Sequence, residues 1–204
     1  MRTLLLCGRL GSISLFAALL SAQAWADVAE HKIACQPAQA EMAKEAVASA
    51  SAAITKAIGT FQSPTPKDVE RQQKWFGPLD STTSESLRKV YASTSAATLF
   101  TLFWCPVKND LDFKWNPGDF AAVHPSEPGA IFLTPKFFAS ATTGADSQMG
   151  TIIHELTHVV GVGLPKEIYG VTAAKQLAKS APATARKNSD NFQYYVEDLV
   201  FGLN

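Results

Sequence analysis

The sequence predicts an α+β domain in which helices come first, a small β-sheet follows, and further helices complete the chain. Residues 38–58 are rich in Ala, Glu, Lys and Met, a composition that favours a helix, and Pro37 suits its first turn. Short apolar runs bounded by Pro and Gly, such as residues 130–134, are typical of strands. A helical pattern returns at Ser147, so we expect the sheet to lie between two helical parts.

The other elements follow from the same signals of composition and spacing. We expect helices at residues 38–58, 66–76, 81–91, 147–160, 169–180 and 189–203. We expect strands at residues 99–104, 120–123 and 130–134, the first of them buried because it is apolar and aromatic. There is no internal repeat or long linker, so residues 27–204 are predicted to form a single domain.

The N-terminal residues 1–26 have the pattern of a secretory signal peptide. Arg2 precedes a largely apolar stretch, Leu4–Leu20, and Ala24-Trp25-Ala26 is a cleavage signal of the A-x-A type. Arg9 interrupts the apolar run, which is then shorter than the roughly 20 residues that cross a bilayer. We therefore expect a periplasmic or secreted protein with no stable membrane association after cleavage. An uncleaved membrane anchor is the alternative.

The charge balance argues against a nucleic-acid partner. The 204 residues include 18 Lys and Arg and 18 Asp and Glu. Proteins that bind nucleic acid through their charge carry a basic excess, and this chain has none. The apolar fraction of 47% is that of an ordinary globular domain with a sizeable core.

Removal of the signal peptide leaves two cysteines, Cys35 and Cys105. An even pair in an exported chain predicts one disulfide. The bond would close a loop of about 70 residues and stabilise the fold by roughly 3–5 kcal/mol in the loop-entropy model. Two buried free thiols are the alternative.

The chemical centre of the sequence is the HExxH motif His154-Glu155-Leu156-Thr157-His158. Residues four apart lie on one face of a helix, so both imidazoles can bind one tetrahedral Zn²⁺ at about 2.0–2.1 Å. Glu155 lies beside the open position of such a metal, where it can take a proton from water and pass it to a leaving amine. Incidental histidines on an amphipathic helix are the alternative.

Sequence patterns on both sides of the motif are similar to those of a known family. They are Ala130-Ile131-Phe132-Leu133, residues 144–151, Tyr169-Gly170 and residues 188–195. In these stretches the chain resembles the deuterolysin and peptidyl-Lys metalloendopeptidase family, the aspzincins. The resemblance implies a zincin fold with its zinc site between the sheet and the C-terminal helices. It also implies endopeptidase activity on protein or peptide substrates with one Zn²⁺ per chain.

The sequence departs from the family at the third zinc ligand. The resemblance implies an aspartate ligand in a Gly-Thr-x-Asp-x-x-Tyr-Gly motif, but Lys166 occupies that position here. A charged ammonium group has no lone pair to donate to a metal. The adjacent carboxylate, Glu167, falls at the expected distance when residues are counted from His158, so we expect Glu167 to be the third ligand. The alternatives are Glu197, Asp198, His124 and no third ligand.

The resemblance also assigns roles to three residues that follow the motif. Tyr169 corresponds to the tyrosine that stabilises the oxyanion of the tetrahedral intermediate; a core aromatic is the alternative. Asp190 corresponds to an acid of the lysine-binding pocket and could also be a helix N-cap. Gln193 stands in place of that pocket's glutamate, which weakens the expected attraction for a lysine ammonium.

Two functions of different classes therefore follow from the sequence. The first is an exported zinc endopeptidase, possible substrates including cell-wall peptides. The second is a catalytically inactive zincin-fold binding protein, which the substitution by Lys166 suggests. The intact HExxH motif favours the enzyme, because a decayed site would have no reason to retain Glu155 between two histidines.

Overall fold

The computed structural model describes residues 34–106, 118–124 and 127–203. The expected signal peptide, residues 1–26, and His31 lie outside these ranges. The described helices are α1 (Pro37–Gln62), α2 (Pro66–Phe76), α3 (Ser81–Ala97), α4 (Pro135–Ala139), α5 (Gln148–Val159), α6 (Val171–Ser180), α7 (Pro182–Ala185) and α8 (Ser189–Phe201). The described strands are β1 (Leu102–Trp104), β2 (Ala121–Val123) and β3 (Ala130–Leu133). None of the described helices has the length and apolarity to cross a membrane.

The long helix α1 forms the support for the C-terminal half of the domain. Its buried face consists mainly of alanines, including Ala46, Ala50, Ala53 and Ala57. Small side chains let neighbouring helices approach closely, and α1 packs against both α3 and α5. The alanine-rich composition that predicts this helix therefore also serves its packing.

The described strands form a sheet in the order β1-β3-β2. The central strand β3 is buried along its whole length, as its uninterrupted apolar sequence predicts. It pairs in parallel with β1 and antiparallel with β2, with Ala122 opposite Phe132. Strand β2 also contacts α5, so one side of the sheet faces the helix that carries the HExxH motif.

The prediction of a buried strand at residues 99–104 was wrong for its first half. The amide groups of Leu99 and Phe100 bond back to the carbonyls of Ala96 and Ala97, so the chain is still turning after α3. Leu99 is 88% exposed and Phe100 is 63% exposed. An apolar run alone does not distinguish a strand from the end of a helix, which is why β1 begins only at Leu102.

An aromatic cluster joins α1, α2, α3 and α8. Its members are Phe61, Phe76, Tyr91, Phe192 and Tyr195, with ring centroids 5.2–6.4 Å apart. The hydroxyl of Tyr91 donates to the carbonyl of Phe192 at 3.0 Å, and that of Tyr195 contacts the hydroxyl of a threonine in α1. Because these rings come from distant parts of the sequence, they fix α8 against the N-terminal helices.

A disulfide joins Cys35 to Cys105, as the sequence predicts. The bond connects the chain just before α1 to the chain just after β1, across a separation of 70 residues. It therefore fastens the N-terminal helical part to the sheet.

The crossing of α5 and α8 depends on a buried carboxylate. Oε1 of Glu197 in α8 accepts hydrogen bonds from the amide and hydroxyl groups of Ser147, the N-cap of α5, at 2.8 and 2.7 Å. Gly150 permits this approach, because a Cβ atom there would lie 1.9 Å from Oε1 of Glu197. The N-terminus of α5 is thus held in place by a negative group, which also favours the helix dipole.

Burial raises the pKa of Glu197 to about 7. A carboxyl group with a higher pKa in the folded than in the unfolded chain stabilises the fold fully below its ordinary value of 4.5. That contribution is lost as the pH rises through 7. Since one pKa unit corresponds to about 1.4 kcal/mol, the effect is at most on the order of 3 kcal/mol.

We therefore predict that wild type loses stability relative to Glu197→Gln as the pH rises from 4.5 to 8. The measurement is the free energy of unfolding in urea for both proteins across this range. A difference between the two that stays constant, or grows in favour of wild type, would contradict the prediction.

Candidate active site

The HExxH motif lies in the second half of α5, and the residues of this helix from Gln148 to Thr157 are all buried. The helix begins at an N-cap serine whose hydroxyl accepts from the amide of Gly150 at 3.0 Å. Both histidines and Glu155 line a cavity of about 690 Å³ between α5, β2 and the start of α8. The motif is therefore on a rigid, internally capped element that faces a cleft.

The two imidazoles are placed as a pair of metal ligands. Nε2 of His154 lies 3.2 Å from Nε2 of His158. Two nitrogens bound at about 2.0–2.1 Å to the same tetrahedral zinc ion lie roughly 3.3 Å apart. The observed separation therefore fits one zinc ion shared by both nitrogens.

The opposite nitrogen of each ring is held by an acceptor. Nδ1 of His154 lies 2.9 Å from Oδ1 of Asp190, and Nδ1 of His158 lies 3.1 Å from the carbonyl oxygen of Val162. When Nδ1 donates, the lone pair of a neutral imidazole is on Nε2. These partners therefore orient both rings so that their lone pairs converge, as second-shell groups do in metal sites.

A glycine allows the chain to approach His158 closely. A Cβ atom at Gly163 would lie 2.6 Å from Nδ1 of His158, and the φ angle of this residue is 155°. Only glycine takes up both the space and the conformation without strain. The Val162 carbonyl can therefore reach the ring because the next residue has no side chain.

The electrostatics of the histidine pair favour one positive charge between the rings. Burial lowers the pKa of His154, but the hydrogen bond to Asp190 and the nearby carboxylates raise it to about 9. Burial and the proximity of His154 lower the pKa of His158 to about 4. A metal cation would take the position of this single shared charge.

A third protein ligand is not placed with the two histidines. Within residues 34–106, 118–124 and 127–203, no three side chains of His, Cys, Asp and Glu are grouped closely enough to hold a metal ion. The carboxylate of Glu167 accepts from the amide of Leu164 at 2.6 Å and from that of Ser189 at 3.0 Å. It thus braces the loop beside the Nδ1 side of His158, while Lys166 is exposed on the surface.

The alternative ligands have other contacts. Glu197 caps the N-terminus of α5, as described above. Asp198 forms ion pairs with Arg71 and Lys74 at 3.7 and 3.2 Å and accepts from the indole of Trp75. His124 follows β2 and lines the cavity. Among these alternatives, only His124 borders the cleft that contains the HExxH histidines.

Glu155 and Tyr169 lie where they can act on a substrate in the cavity. Burial raises the pKa of the Glu155 carboxyl to about 7. The ring of Tyr169 stacks against His154 with centroids 6.1 Å apart, and 69% of this residue is exposed. Partial desolvation and the nearby carboxylates raise the pKa of Tyr169 to about 12, so its hydroxyl stays protonated and can donate a hydrogen bond.

The predicted substrate-binding residues border the same cavity. Asp190 is in the first turn of α8; its Oδ1 faces His154 and its Oδ2 accepts from the amide of Gly170 at 2.6 Å. Gln193 donates through Nε2 to Oδ1 of Asp146 at 3.3 Å. The structure therefore gives Asp190 a contact with a histidine of the motif that the sequence alone does not indicate.

Sequence reasoning missed two cavity residues, Asp119 and Asp146. Asp119 comes directly before β2, in a position that only the sheet register relates to α5. Asp146 comes directly before the N-cap of α5, and its place in Gly144-Ala145-Asp146-Ser147 is the signal that could have identified it.

An HExxH helix with converging histidines, set between a small sheet and a C-terminal helix, defines the class of zincin-like metallopeptidase folds. The model of the lysine-specific metallo-endopeptidase family matches residues 62–197. The chain belongs to this family, the aspzincins.

Individual relatives agree with the family assignment. The chain is 34% identical over 157 residues to a peptidyl-Lys metalloendopeptidase of Armillaria mellea, a match covering 74% of this chain and 42% of the relative. It is 32% identical over 133 residues to an extracellular protease of Aeromonas hydrophila, covering 63% and 36%. The chain thus spans less than half the length of these two relatives, and nothing in the comparisons supports the non-catalytic alternative.

A solved structure shows the same fold. The zinc peptidase from Grifola frondosa is similar with a TM-score of 0.68 and 27% sequence identity. The similarity covers 81% of this chain and 98% of that structure. The expected α+β zincin fold is confirmed.

We predict that Gly163→Ala lowers zinc affinity by about 10–100-fold, the usual cost of disturbing a group that orients a metal ligand. The added Cβ would displace the ring of His158 or the Val162 carbonyl. Zinc affinity can be measured by competition with a chelator of known affinity.

Gly161→Ala is the matched control, because Gly161 also has a positive φ of 79° but a Cβ there meets no atom within 4 Å. It should strain the backbone without moving His158. Equal zinc affinities in both variants would show that the close approach at Gly163 does not position the ligand.

Proposed function

We propose that this chain is an exported zinc-dependent endopeptidase, periplasmic or secreted, that hydrolyses peptide bonds in protein or peptide substrates. The observation that carries the proposal is the 3.2 Å separation of two imidazole nitrogens beside the buried Glu155 in an open cleft. The proposal includes no nucleic-acid partner and no stable membrane association. The name of the Aeromonas relative, an extracellular protease, supports export.

The proposed cofactor is one Zn²⁺ per chain, bound by His154, His158 and Glu167. When bound, zinc supplies Lewis acidity, which polarises a carbonyl group and lowers the pKa of water to about 7. The two histidines are supported by their geometry. Glu167 is supported by its position on the loop that follows the motif and by its electrostatic effect on His154. To bind metal, its carboxylate must exchange one of its hydrogen bonds to backbone amides for the ion.

Glu155 is the proposed general base and acid. Its carboxylate accepts a proton from the attacking water and then donates it to the amine that leaves. A carboxyl group whose pKa lies near 7 can do both at neutral pH, and burial supplies that shift here. Asp190 has the accompanying task of holding His154 in its orientation.

Tyr169 is the proposed oxyanion donor. Its ring lies against His154 at the cavity wall, and its hydroxyl keeps its proton at neutral pH. A donor placed at the reacting carbonyl stabilises the negative charge that develops on its oxygen.

The cavity is better suited to a basic than to an acidic substrate side chain. The carboxylates that line it belong to Asp119, Asp146, Glu155 and Asp190. The amine of Lys136, also in the lining, donates to the carbonyl of Gly118 and lies over the ring of Phe120. This acidic surplus, together with the name of the peptidyl-Lys relative, supports a preference for lysine.

We predict that Glu155→Gln keeps zinc and the fold but lowers kcat for peptide hydrolysis by at least about 10²-fold. A neutral amide cannot accept the proton of the attacking water. Glu45→Gln is the control, since Glu45 is exposed on α1. Peptide turnover by Glu155→Gln at the rate of the control would remove Glu155 from the mechanism.

We predict that Glu167→Ala lowers zinc affinity by more than about 100-fold, beyond the usual effect of a group that only supports a ligand. Lys166→Ala is the control on the same loop and should leave the affinity almost unchanged, because Lys166 is exposed. The measurement is chelator competition on folded protein. A loss of thermal stability in Glu167→Ala with little change in zinc affinity would assign Glu167 to the bracing of the loop alone.

A further inference from the structure

Asp146 has an unusual backbone for a residue with a side chain. Among the described residues it is the only one other than glycine with a positive φ, 55°. This conformation costs free energy for any L-residue except glycine, although Asp and Asn tolerate it best. The residue is exposed and lines the cavity that contains the HExxH histidines.

One side of the Asp146 carboxylate is held by α8. Oδ1 accepts from the hydroxyl of Tyr194 at 2.7 Å and from Nε2 of Gln193 at 3.3 Å. The amide group of Asp146 donates to Oε2 of Glu197 at 3.3 Å. In the part of the chain that the structure describes, Oδ2 has no hydrogen-bond partner. The carboxylate is therefore fixed through one oxygen, and its other oxygen can accept from a bound molecule.

The other carboxylate at this end of the cavity is differently engaged. Asp190 is buried, with one oxygen on Nδ1 of His154 and the other on the amide of Gly170. Binding a substrate cation there would compete with the orientation of His154. Gln193 between the two acids is neutral and already donates to Asp146. The exposed, partly occupied Asp146 carboxylate is thus the better acceptor for a cation.

We propose that Asp146 is a specificity-determining residue that binds a cationic side chain of the substrate, a lysine ammonium or arginine guanidinium. This inference rests on the proposed peptidase function. Tyr194 and Gln193 hold the carboxylate in position, and the positive φ of Asp146 lets it face the cleft directly before α5. The charge is then in place before substrate arrives, so little side-chain entropy is lost on binding.

The test is the ratio of kcat/KM for two peptides that differ only in lysine or norleucine on the carboxyl side of the scissile bond. Norleucine has the same chain without the ammonium group. Asp146→Asn should lower this lysine-to-norleucine ratio by about fivefold, the upper range for an exposed ion pair. Asparagine tolerates the same φ angle and retains an acceptor for Tyr194. Asp146→Gly, which relieves the backbone strain, should lower the ratio equally.

The controls separate this role from structural damage and from a general field. A structural role of Asp146 would lower kcat/KM for both peptides in proportion and leave the ratio unchanged, which would overturn the inference. Asp119→Asn removes another carboxylate from the same cavity. If that variant lowers the ratio as much as Asp146→Asn, the preference belongs to the summed charge of the cleft and the assignment to Asp146 is wrong.

Failure of the proposed function gives a different result. Wild-type protein with bound zinc that cleaves neither peptide, nor any member of a mixed peptide library, contradicts the peptidase function itself. Wild-type protein that cleaves both peptides equally leaves the peptidase function standing and overturns the role of Asp146. Lowering the salt concentration should increase the ratio in wild type more than in Asp146→Asn, because only the former pairs two charges.

Discussion

The packing of α8 across α5 is the constraint on which the candidate active site depends. Within its first three turns α8 supplies Asp190 to the ring of His154, Gln193 to Asp146, and Glu197 to the N-terminus of α5. The aromatic cluster holds the same helix against α1, α2 and α3. The orientation of the HExxH histidines is therefore a consequence of core packing elsewhere in the domain.

The site concentrates charge in a region from which much of the water is excluded. Buried or partly buried carboxylates surround two imidazoles whose pKa values are shifted in opposite directions. Such an arrangement is costly for an isolated set of ionisable groups and becomes favourable when one cation is shared among them. The charge distribution and the spacing of the two nitrogens thus lead independently to a divalent metal ion.

Much of the fold could be predicted because its signals are local. The alanine-rich composition of α1, the apolar sequence of β3 and the helical pattern of α5 each specify an element without reference to the rest of the chain. The prediction failed at Leu99 and Phe100, where apolar side chains are exposed in a turn. Burial there depends on which elements are neighbours, and composition does not contain that information.

The sequence by itself determined the metal-binding pair, the general base and the disulfide partners. The spacing of His154 and His158 has a geometric meaning on any helix, and two cysteines allow only one pairing. The tertiary structure decided which acid does what. Asp190 orients a histidine, Glu167 contacts loop amides, and Asp146 faces the cleft, although all three are carboxylates in polar stretches. Their roles depend on distances between residues far apart in the chain, and only the packing of α8 against α5 sets those distances.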